Sequence, residues 1–429
     1  MLGMEKISIY GPTKLCGEIR IGGAKNSLSA ILPAICLKDE DAECILEGVP
    51  DIEDAVTLCN ILRELGFTVK RNMEEKRITV TGKIEKHSLG EKNVTKIRAS
   101  NLFLGVLLSM RGKAEVPFCG GDKIGERPLD IHMYVLEKYG AEVNVCNGII
   151  TCTAKKFPLQ GTVVFLRYPS VGASETAILL AVHAVGDSYI YNAACEPEIA
   201  DMAVVLNAMG ARITGAGTPI IHIRGVGCLG DVKHELIPDR IECATYLLGF
   251  AITHGTGKVK DVIPEHNIAL ISLLRDIGVK LQCGPDSIEI DAAGSIYNPI
   301  QADALPYPGM PTDIQPILSA LAVLCAGNSM IRDSVFIDRF QHLGEYRKMG
   351  VVSTKSYNQV YVTGPQKFQS AVVIGEDIRT ATSLALGAMS AYGRTDLYGY
   401  EHIRRGYEGF VSKMNSIGAK MVLGEQEDF

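Results

Sequence analysis

Six short segments that carry lysine, arginine, aspartate or glycine stand directly before six apolar stretches of the chain. They are Gly23-Ala24-Lys25-Asn26, Arg98-Ala99-Ser100, Ser170-Val171-Gly172, Asp239-Arg240, Pro311-Thr312-Asp313 and Asp377-Ile378-Arg379. If each apolar stretch is a helix, its first backbone N–H groups are free and its dipole presents roughly half a positive charge. Such helix starts, together with cationic side chains, suit a polyanionic ligand. Taken singly, each residue could instead cap a helix or pair with a neighbouring carboxylate.

The apolar stretches belong to a unit of about 70 residues that recurs six times. Each unit also contains an amphipathic helix that ends at a glycine and is followed by a short strand. The six glycines are Gly66, Gly140, Gly210, Gly278, Gly350 and Gly418, and subtraction gives separations of 74, 70, 68, 72 and 68. We predict that each glycine ends its helix with a positive φ. If the units form two three-fold clusters, the starts of the buried helices meet within each cluster.

Composition narrows the class of protein. The 429 residues are 47% hydrophobic, with a formal net charge of -6 and a pI near 5.9, which argues against a broad nucleic-acid surface. No apolar run approaches the roughly 20 residues that span a bilayer, and no signal peptide is evident, so we expect a cytoplasmic protein. The 12 cysteines include no C-x-x-C pair, and we expect most of them to be buried as small apolar residues.

A glycine-rich segment, CGGDKIGERPLDIH, runs from Cys119 to His132. Its three glycines indicate an unusual or mobile backbone, and it carries several reactive side chains. In isolation an ordinary surface turn would be the first interpretation.

Ten segments, in chain order, resemble the UDP-N-acetylglucosamine 1-carboxyvinyltransferase family: GGAKNSLSAILP, IRAS, GGDKIGERPLDIH, YPSVGASET, EPEIAD, LIPDRIE, YPGMPTDIQ, VFIDRFQHL, DIRTATSL and HIRRGYE. The resemblance implies the enolpyruvyl transferase fold, an α/β architecture of two inside-out domains. Each domain contains three repeated units, and the active site lies in the cleft between the domains. The implied domain 1 is residues 22–235 with a mobile loop at 119–126, and domain 2 is residues 1–21 with 236–429.

The implied reaction moves the enolpyruvyl group of phosphoenolpyruvate (PEP) to the 3-hydroxyl of UDP-N-acetylglucosamine and releases phosphate through a tetrahedral intermediate. This is the first committed step of peptidoglycan synthesis. The resemblance implies no metal or organic cofactor, no nucleic-acid partner and no membrane insertion, and it leaves the oligomeric state open. Two alternatives remain: a transferase that uses UMP or another uridine nucleotide, and a non-catalytic paralogue that binds a UDP-sugar.

Site residues carry over position by position. The implied catalytic residues are Asp122, Asp313, Lys25 and Arg405. The implied PEP contacts are Lys25, Asn26, Arg98, Arg127, Asp377, Arg379 and Arg405. The implied UDP-sugar contacts are Asn26, Arg98, Arg127, Pro128, Leu129, Asp130, Ile131, Ser170, Val171, Gly172, Asp313 and Val335. Asp313 would accept the hydroxyl proton, although without the resemblance it would be interpreted as a helix N-cap, and Val335 as strand core.

The chain departs from the family pattern at several positions. Most members carry cysteine where this chain has Asp122, and a carboxylic acid can replace the thiol as a proton donor only if its surroundings raise its pKa. Because a carboxylate is a weak nucleophile toward an epoxide, we predict insensitivity to fosfomycin, and we expect Cys119 to point elsewhere. The other departures are Tyr168, Cys195, Asp338 and Arg404.

Overall fold

The computed structural model describes residues 4–121, 125 and 128–424. Within these residues the helices are α1 (Lys25–Ala34), α2 (Glu53–Leu65), α3 (Glu91–Val94), α4 (Leu102–Arg111), α5 (Asp130–Lys138), α6 (Val171–Ala181), α7 (Pro197–Ala208), α8 (Arg240–Ile252), α9 (Ile268–Asp276), α10 (Gln315–Leu324), α11 (His342–Lys348), α12 (Ile378–Ser390), α13 (Tyr400–Arg404) and α14 (Phe410–Ser416). Short 3₁₀ turns cover Ile35–Leu37, Arg98–Asn101, Pro264–Asn267 and Thr312–Ile314.

The strands in the same residues are β1 (Lys6–Gly11), β2 (Cys16–Arg20), β3 (Cys44–Glu47), β4 (Thr68–Asn72), β5 (Arg77–Thr81), β6 (Lys113–Pro117), β7 (Ala141–Cys146), β8 (Ile149–Ala154), β9 (Val163–Phe165), β10 (Asp187–Tyr191), β11 (Arg212–Thr214), β12 (Ile220–Arg224), β13 (Val232–Glu235), β14 (Thr256–Lys260), β15 (Lys280–Cys283), β16 (Ser287–Asp291), β17 (Gln301–Ala304), β18 (Gly327–Asp333), β19 (Thr354–Ser356), β20 (Gln359–Gly364), β21 (Val372–Ile374), β22 (Gly393–Tyr398) and β23 (Met421–Leu423).

The chain divides into two compact units. The central unit comprises residues 23–121 and 128–237, and the split unit comprises residues 4–22 and 238–424. Each unit has its own hydrophobic core, with α1, α4 and α6 in the central unit and α8, α10 and α12 in the split unit. The apolar stretches noted in the sequence thus lie inside the two units, and all thirteen residues of α8 are buried.

Among the described residues the strands form six sheets, three in each unit. Five sheets have four strands and share one order. In each of them one edge strand runs parallel to its neighbour, and the remaining neighbouring pairs are antiparallel. The sixth, β6-β8-β7, has three strands, and a single parallel bridge from Ser88 to Glu115 stands in place of the edge strand. Six similar sheets accord with six repeats of one unit.

The glycines that the repeat predicts as helix ends all have positive φ. The φ values of Gly66, Gly140, Gly210, Gly278, Gly350 and Gly418 are 115°, 82°, 112°, 101°, 79° and 102°. Only glycine adopts this conformation without steric cost, which is why the pattern survives in every repeat. The short strand expected after Gly66 in the first repeat is β4.

The cysteines and the lengths of the helices bear on two smaller points. All 12 cysteines are free, but only six are buried and four are exposed, so the expectation that most are buried is wrong. None of the helices in the described parts of the chain is long and apolar enough to cross a membrane.

Candidate active site

Lys25 is the first residue of α1 in the central unit. Its ammonium nitrogen lies 3.0 Å from Oδ2 of Asp54, an almost fully buried carboxylate in the first turn of α2. An ion pair of this kind fixes the position of a flexible lysine at a helix start. Asn26 follows in the same turn and is half-buried.

Arg98 connects the two described ends of the glycine-rich segment. It lies on a 3₁₀ turn before α4, and its Nη1 donates to the Sγ of Cys119 over 3.1 Å. Its Nη2 donates to the carbonyl oxygen of Pro128 over 3.4 Å. The sulfur of Cys119 thus contacts an arginine that the resemblance assigns to substrate binding, and the expectation that Cys119 points elsewhere stays a prediction. Asp122 and Arg127 lie outside the described residues.

The predicted UDP-sugar contacts of the central unit occupy two helix starts. Leu129 precedes α5, Asp130 opens it and forms an ion pair with Arg167, and Ile131 follows. Ser170 caps α6, since its Oγ accepts from the N–H of Ala173 over 3.4 Å, and Val171 and Gly172 form the first turn.

His132 joins these two helix starts. Its buried ring lies so close to Gly172 that a Cβ there would come within 2.8 Å of Cε1. Its Nδ1 is 3.0 Å from Oγ1 of Thr176, one turn further along α6. His132 thereby holds the start of α5 against the start of α6.

Two arginines hold Asp313 in the split unit. Arg339 Nη1 donates to Oδ1 of Asp313 over 2.8 Å, and Arg379 Nη2 donates to Oδ2 over 3.0 Å. The side chains of the arginines are only 3% and 6% exposed, whereas that of Asp313 is 27% exposed. A carboxylate that accepts on both oxygens still has lone pairs for further donors. The alternative interpretation of Asp313 as a helix N-cap is wrong, since neither Thr312–Ile314 nor α10 is capped by a side chain.

A chain of hydrogen bonds connects the Asp313 cluster to Val335. Arg339 Nη1 also donates to Oγ1 of Thr312 over 3.1 Å, and Thr312 donates to Oδ2 of Asp333 over 2.6 Å. The other oxygen of Asp333 accepts from the N–H groups of Val335 and Phe336. Burial raises the pKa of Asp333, an effect that these hydrogen bonds oppose. Val335 lies just beyond the end of β18, so the alternative that it is strand core is also wrong.

Asp377 holds the start of α12, from which Arg379 projects. Its Oδ1 accepts from the N–H groups of Arg379 and Thr380 over 2.8 and 3.1 Å, and its side chain is buried. Arg379 Nη1 donates to the hydroxyl of Tyr407 over 2.8 Å, and Tyr407 lies 2.8 Å from Oγ1 of Thr245. Burial raises the pKa of Tyr407, which keeps its hydroxyl protonated and able to bridge. The capping interpretation therefore holds for Asp377, whose cap positions the arginine.

Arg405 is half-buried at the end of α13. Its neighbour Arg404 forms an exposed ion pair with Glu5 over 2.6 Å, next to β1. Within the described ranges, which omit 122–124 and 126–127, no cluster of histidine, cysteine, aspartate and glutamate could hold a metal ion.

Sequence reasoning missed three residues of this arrangement: His132, Arg339 and Tyr407. Arg339 stands in the motif VFIDRFQHL, and His132 ends the glycine-rich segment, so both were within segments already singled out. For Arg339 the residue type itself could have been the signal, because an arginine that is buried needs an anionic partner.

The sequence model of the family EPSP synthase (3-phosphoshikimate 1-carboxyvinyltransferase) matches residues 9–414. The UDP-N-acetylglucosamine 1-carboxyvinyltransferase 1 of Carboxydothermus hydrogenoformans is 40% identical over 99% of this chain and 100% of its own length. The UDP-N-acetylglucosamine 1-carboxyvinyltransferase 2 of Geobacillus kaustophilus is 38% identical over 97% of this chain and 96% of its own length. The UDP-N-acetylglucosamine 1-carboxyvinyltransferase of Fervidobacterium nodosum is also 38% identical, over 95% of this chain and 96% of its own length.

Solved structures agree on the fold. The enolpyruvyl transferase NikO from Streptomyces tendae superposes with a TM-score of 0.90 at 24% identity, covering 99% of this chain and 100% of that one. An EPSP synthase from Acinetobacter baumannii gives a TM-score of 0.77 at 19% identity, with 98% and 100% coverage. The predicted enolpyruvyl transferase fold is confirmed, and the chain belongs to the EPSP synthase (3-phosphoshikimate 1-carboxyvinyltransferase) family.

Proposed function

We propose that this protein transfers the enolpyruvyl group of PEP to the 3-hydroxyl of UDP-N-acetylglucosamine and releases phosphate. The observation that carries the proposal is the pair of buried arginines that binds Asp313. Arg339 Nη1 lies 2.8 Å from Oδ1 of Asp313, and Arg379 Nη2 lies 3.0 Å from Oδ2. The names of the full-length relatives support the choice of acceptor. The reaction is the first committed step of peptidoglycan synthesis, and we place it in the cytoplasm.

The arginine pair is a receptor for one carboxylate. Guanidinium groups bind carboxylates through directed hydrogen bonds and stay charged at any physiological pH. PEP carries a carboxylate, so we propose that it engages Arg339 and Arg379 and shares them with Asp313. Asp313, partly released from the pair, would then accept the proton of the sugar hydroxyl.

The phosphate of PEP needs a second set of cations. Lys25, Arg127 and Arg405 are our proposed contacts, with Arg98 and Asn26 beside them. Lys25 supports this role because its ammonium is already held in position by Asp54 at 3.0 Å. A phosphate near this helix start would also gain from the dipole of α1.

The proposed chemistry balances in two steps. In the addition, the sugar 3-oxygen bonds to C2 of PEP, Asp313 takes the hydroxyl proton, and Asp122 supplies a proton to C3. In the elimination, Asp122 takes back a proton from C3 and the double bond forms again. The bond from C2 to the phosphate oxygen breaks, and Asp313 gives its proton to the phosphate as it leaves. Each step needs one acid and one base, which the two aspartates provide in alternating protonation states.

The UDP portion would bind at the joined starts of α5 and α6. First-turn amides of a helix have no partner within the helix, and those of Val171 and Gly172 lead into the eleven-residue α6. Diphosphate oxygens would lie there, with Pro128–Ile131 and Val335 against the remainder of the nucleotide. We propose residues 22–235 and residues 1–21 with 236–429 as the two functional domains.

The test is phosphate release from PEP with UDP-N-acetylglucosamine or UMP as acceptor. We expect release with UDP-N-acetylglucosamine and little with UMP. The variant Asp313→Asn is the control, because release that survives it does not come from this site. Release with UMP alone would refute the proposed acceptor. Calorimetric binding of UDP-N-acetylglucosamine without turnover would instead identify a non-catalytic binding protein.

A further inference from the structure

The outward surface of the third repeat's sheet, β9-β10-β12-β11, is apolar and aromatic. Its exposed side chains are Val163, Phe165, Tyr189, Tyr191 and Ile220, which we call the aromatic face. Their exposed fractions are 56%, 62%, 37%, 37% and 52% respectively. Val163 lies beside Tyr189, and Phe165 lies beside Tyr191, which in turn neighbours Ile220 across the ladder. The five side chains therefore form one contiguous patch.

The equivalent sheets of the other repeats supply an internal comparison. Each of the other five sheets carries at least one Lys or Arg ion pair with a carboxylate on its solvent side. Examples are Lys258–Glu289, Arg77–Glu47, Arg332–Asp303, Lys113–Glu115 and Arg394–Asp396. Such ion pairs are typical of solvated sheet faces, although the sheet of the sixth repeat also exposes Tyr10, Val372 and Val422. Since the repeats share one architecture, the difference in the third repeat lies in its sequence and not in its fold.

The inward and outward positions of these four strands both contain large apolar residues. Their inward residues are Val164, Ser188, Ile190, Ile213, Ile221 and Ile223, all buried in the central core. Their outward positions contain no lysine or glutamate, and the charged residues there are Asp187, Arg212 and Arg224, with His222 beside Asp187. Protein interfaces are enriched in tyrosine, phenylalanine and arginine and depleted in lysine and glutamate, as this surface is.

We propose that the aromatic face is the contact surface of a symmetric dimer and that its occupant is a second copy of this chain. With about 150–200 Å² for a fully exposed large side chain, the exposed fractions correspond to roughly 450 Å² of apolar surface. A stable interface needs about 800 Å² from each partner, so this face supplies more than half and the charged residues at its edge can supply the rest. A two-fold axis lets one apolar sheet face cover its own copy, as in a β-sandwich, without any other complementary surface.

Charge favours protein over nucleic acid as the occupant. The chain carries a net charge of -6, which opposes a polyanion, and Val163 and Ile220 offer nothing to a phosphate backbone. The edge of the face carries Asp187 as well as two arginines, so two copies can pair opposite charges there. The proposal does not depend on the proposed enzymatic activity.

Sedimentation of the full chain over about 1–100 µM, with and without the double variant Phe165→Asp with Ile220→Asp, tests the dimer. We expect a reversible dimer in the wild type and a dissociation constant raised about 30-fold or more in the variant, the effect of losing interface hot spots. The matched control is Tyr361→Asp with Val372→Asp, which places aspartates at exposed apolar positions of two other sheets. This control should leave the dissociation constant unchanged.

Thermal melting of each variant shows whether it has folded, and Phe165→Ser with Ile220→Thr is the milder substitute if the aspartates unfold the sheet. A wild type that stays monomeric throughout the range refutes the proposal. So does a dimer that both double variants weaken equally. Binding of a single-stranded oligonucleotide that Phe165→Asp abolishes would assign the face to nucleic acid and likewise refute it.

Discussion

Substitution of Arg339 by alanine should impair the use of PEP more than the use of the UDP-sugar. The guanidinium lies 2.8 Å from Asp313 and 3.1 Å from Thr312, and its side chain is 3% exposed, so it can give a carboxylate a well-directed, poorly hydrated bond. A hydrogen bond to a charged group is worth about 1.5–3 kcal/mol. At about 1.36 kcal/mol per decade, loss of that bond lowers kcat/KM for PEP about 10- to 150-fold.

The assay is steady-state phosphate release, with PEP varied at saturating UDP-N-acetylglucosamine and then the reverse. We expect KM for PEP to rise while KM for the UDP-sugar stays within about threefold. Arg339→Lys, which keeps the charge and loses the planar fork, should lie between wild type and alanine. Arg332→Ala removes an arginine of the same unit whose partner is Asp303 on the sheet surface, and it should behave as wild type.

Melting curves separate a binding effect from a folding effect. Because the carboxylate of Asp313 is partly exposed, removing Arg339 should lower the free energy of unfolding by only about 2 kcal/mol. For a unit of this size that loss lowers the melting temperature by about 4–8 °C. We therefore expect the variant to be folded at 25 °C. Equal rises in both KM values, or a loss of kcat/KM below about threefold, would refute the assignment of Arg339 to the PEP carboxylate.

Three further predictions concern other parts of the molecule. Asp313→Asn should lower kcat about 100- to 10,000-fold without raising KM for PEP, since the arginine pair loses a competing carboxylate, and single-turnover phosphate release within tenfold of wild type would contradict this. Burial, together with the charges of Glu198 and Glu196, raises the pKa of Glu175 from 4.5 to about 8. Between these two values the folded chain keeps a proton that the unfolded chain releases. The free energy of unfolding therefore falls as the pH rises from about 4.5 to 8. The melting temperature of Glu175→Gln relative to wild type should thus increase from pH 5 to 8, and a constant difference would be inconsistent with this cause. The wild type should retain activity in fosfomycin and Asp122→Cys should lose it with time, whereas mass spectrometry that finds an adduct on the wild-type peptide from Cys119 to Gly125 would exclude insensitivity.

Local physical rules explain what the sequence predicted well. A glycine that ends an amphipathic helix has a local cause, the left-handed conformation, and Gly66 and its five counterparts could be located from the chain alone. The apolar pattern of α8 likewise predicts burial without any knowledge of its neighbours. The motif resemblance then supplied the fold and residues such as Asp313.

Contacts between distant segments could not be predicted in the same way. Arg339 and Asp313 lie 26 positions apart, and no periodicity relates a turn after β18 to the turn before α10. Lys25 and Asp54 meet because α1 and α2 pack together, which is a tertiary fact. For Asp377 only part of the role could be predicted. The sequence suggested that it caps a helix, but not that this cap positions Arg379 against Tyr407.

The placement of β1 also sets the order of events during synthesis. Ile7 of β1 pairs with Leu397 of β22, although the ribosome makes these two residues 390 positions apart. At translation rates of about 5–20 residues per second, the first strand waits roughly 20–80 s for its partner. Until β22 is made, the strand KISIYG lacks this native partner, and an unpaired strand can pair with other chains. Every repeat of the central unit has been translated before β22 appears. Strand β1 therefore leaves the ribosome long before its native partner β22 has been made.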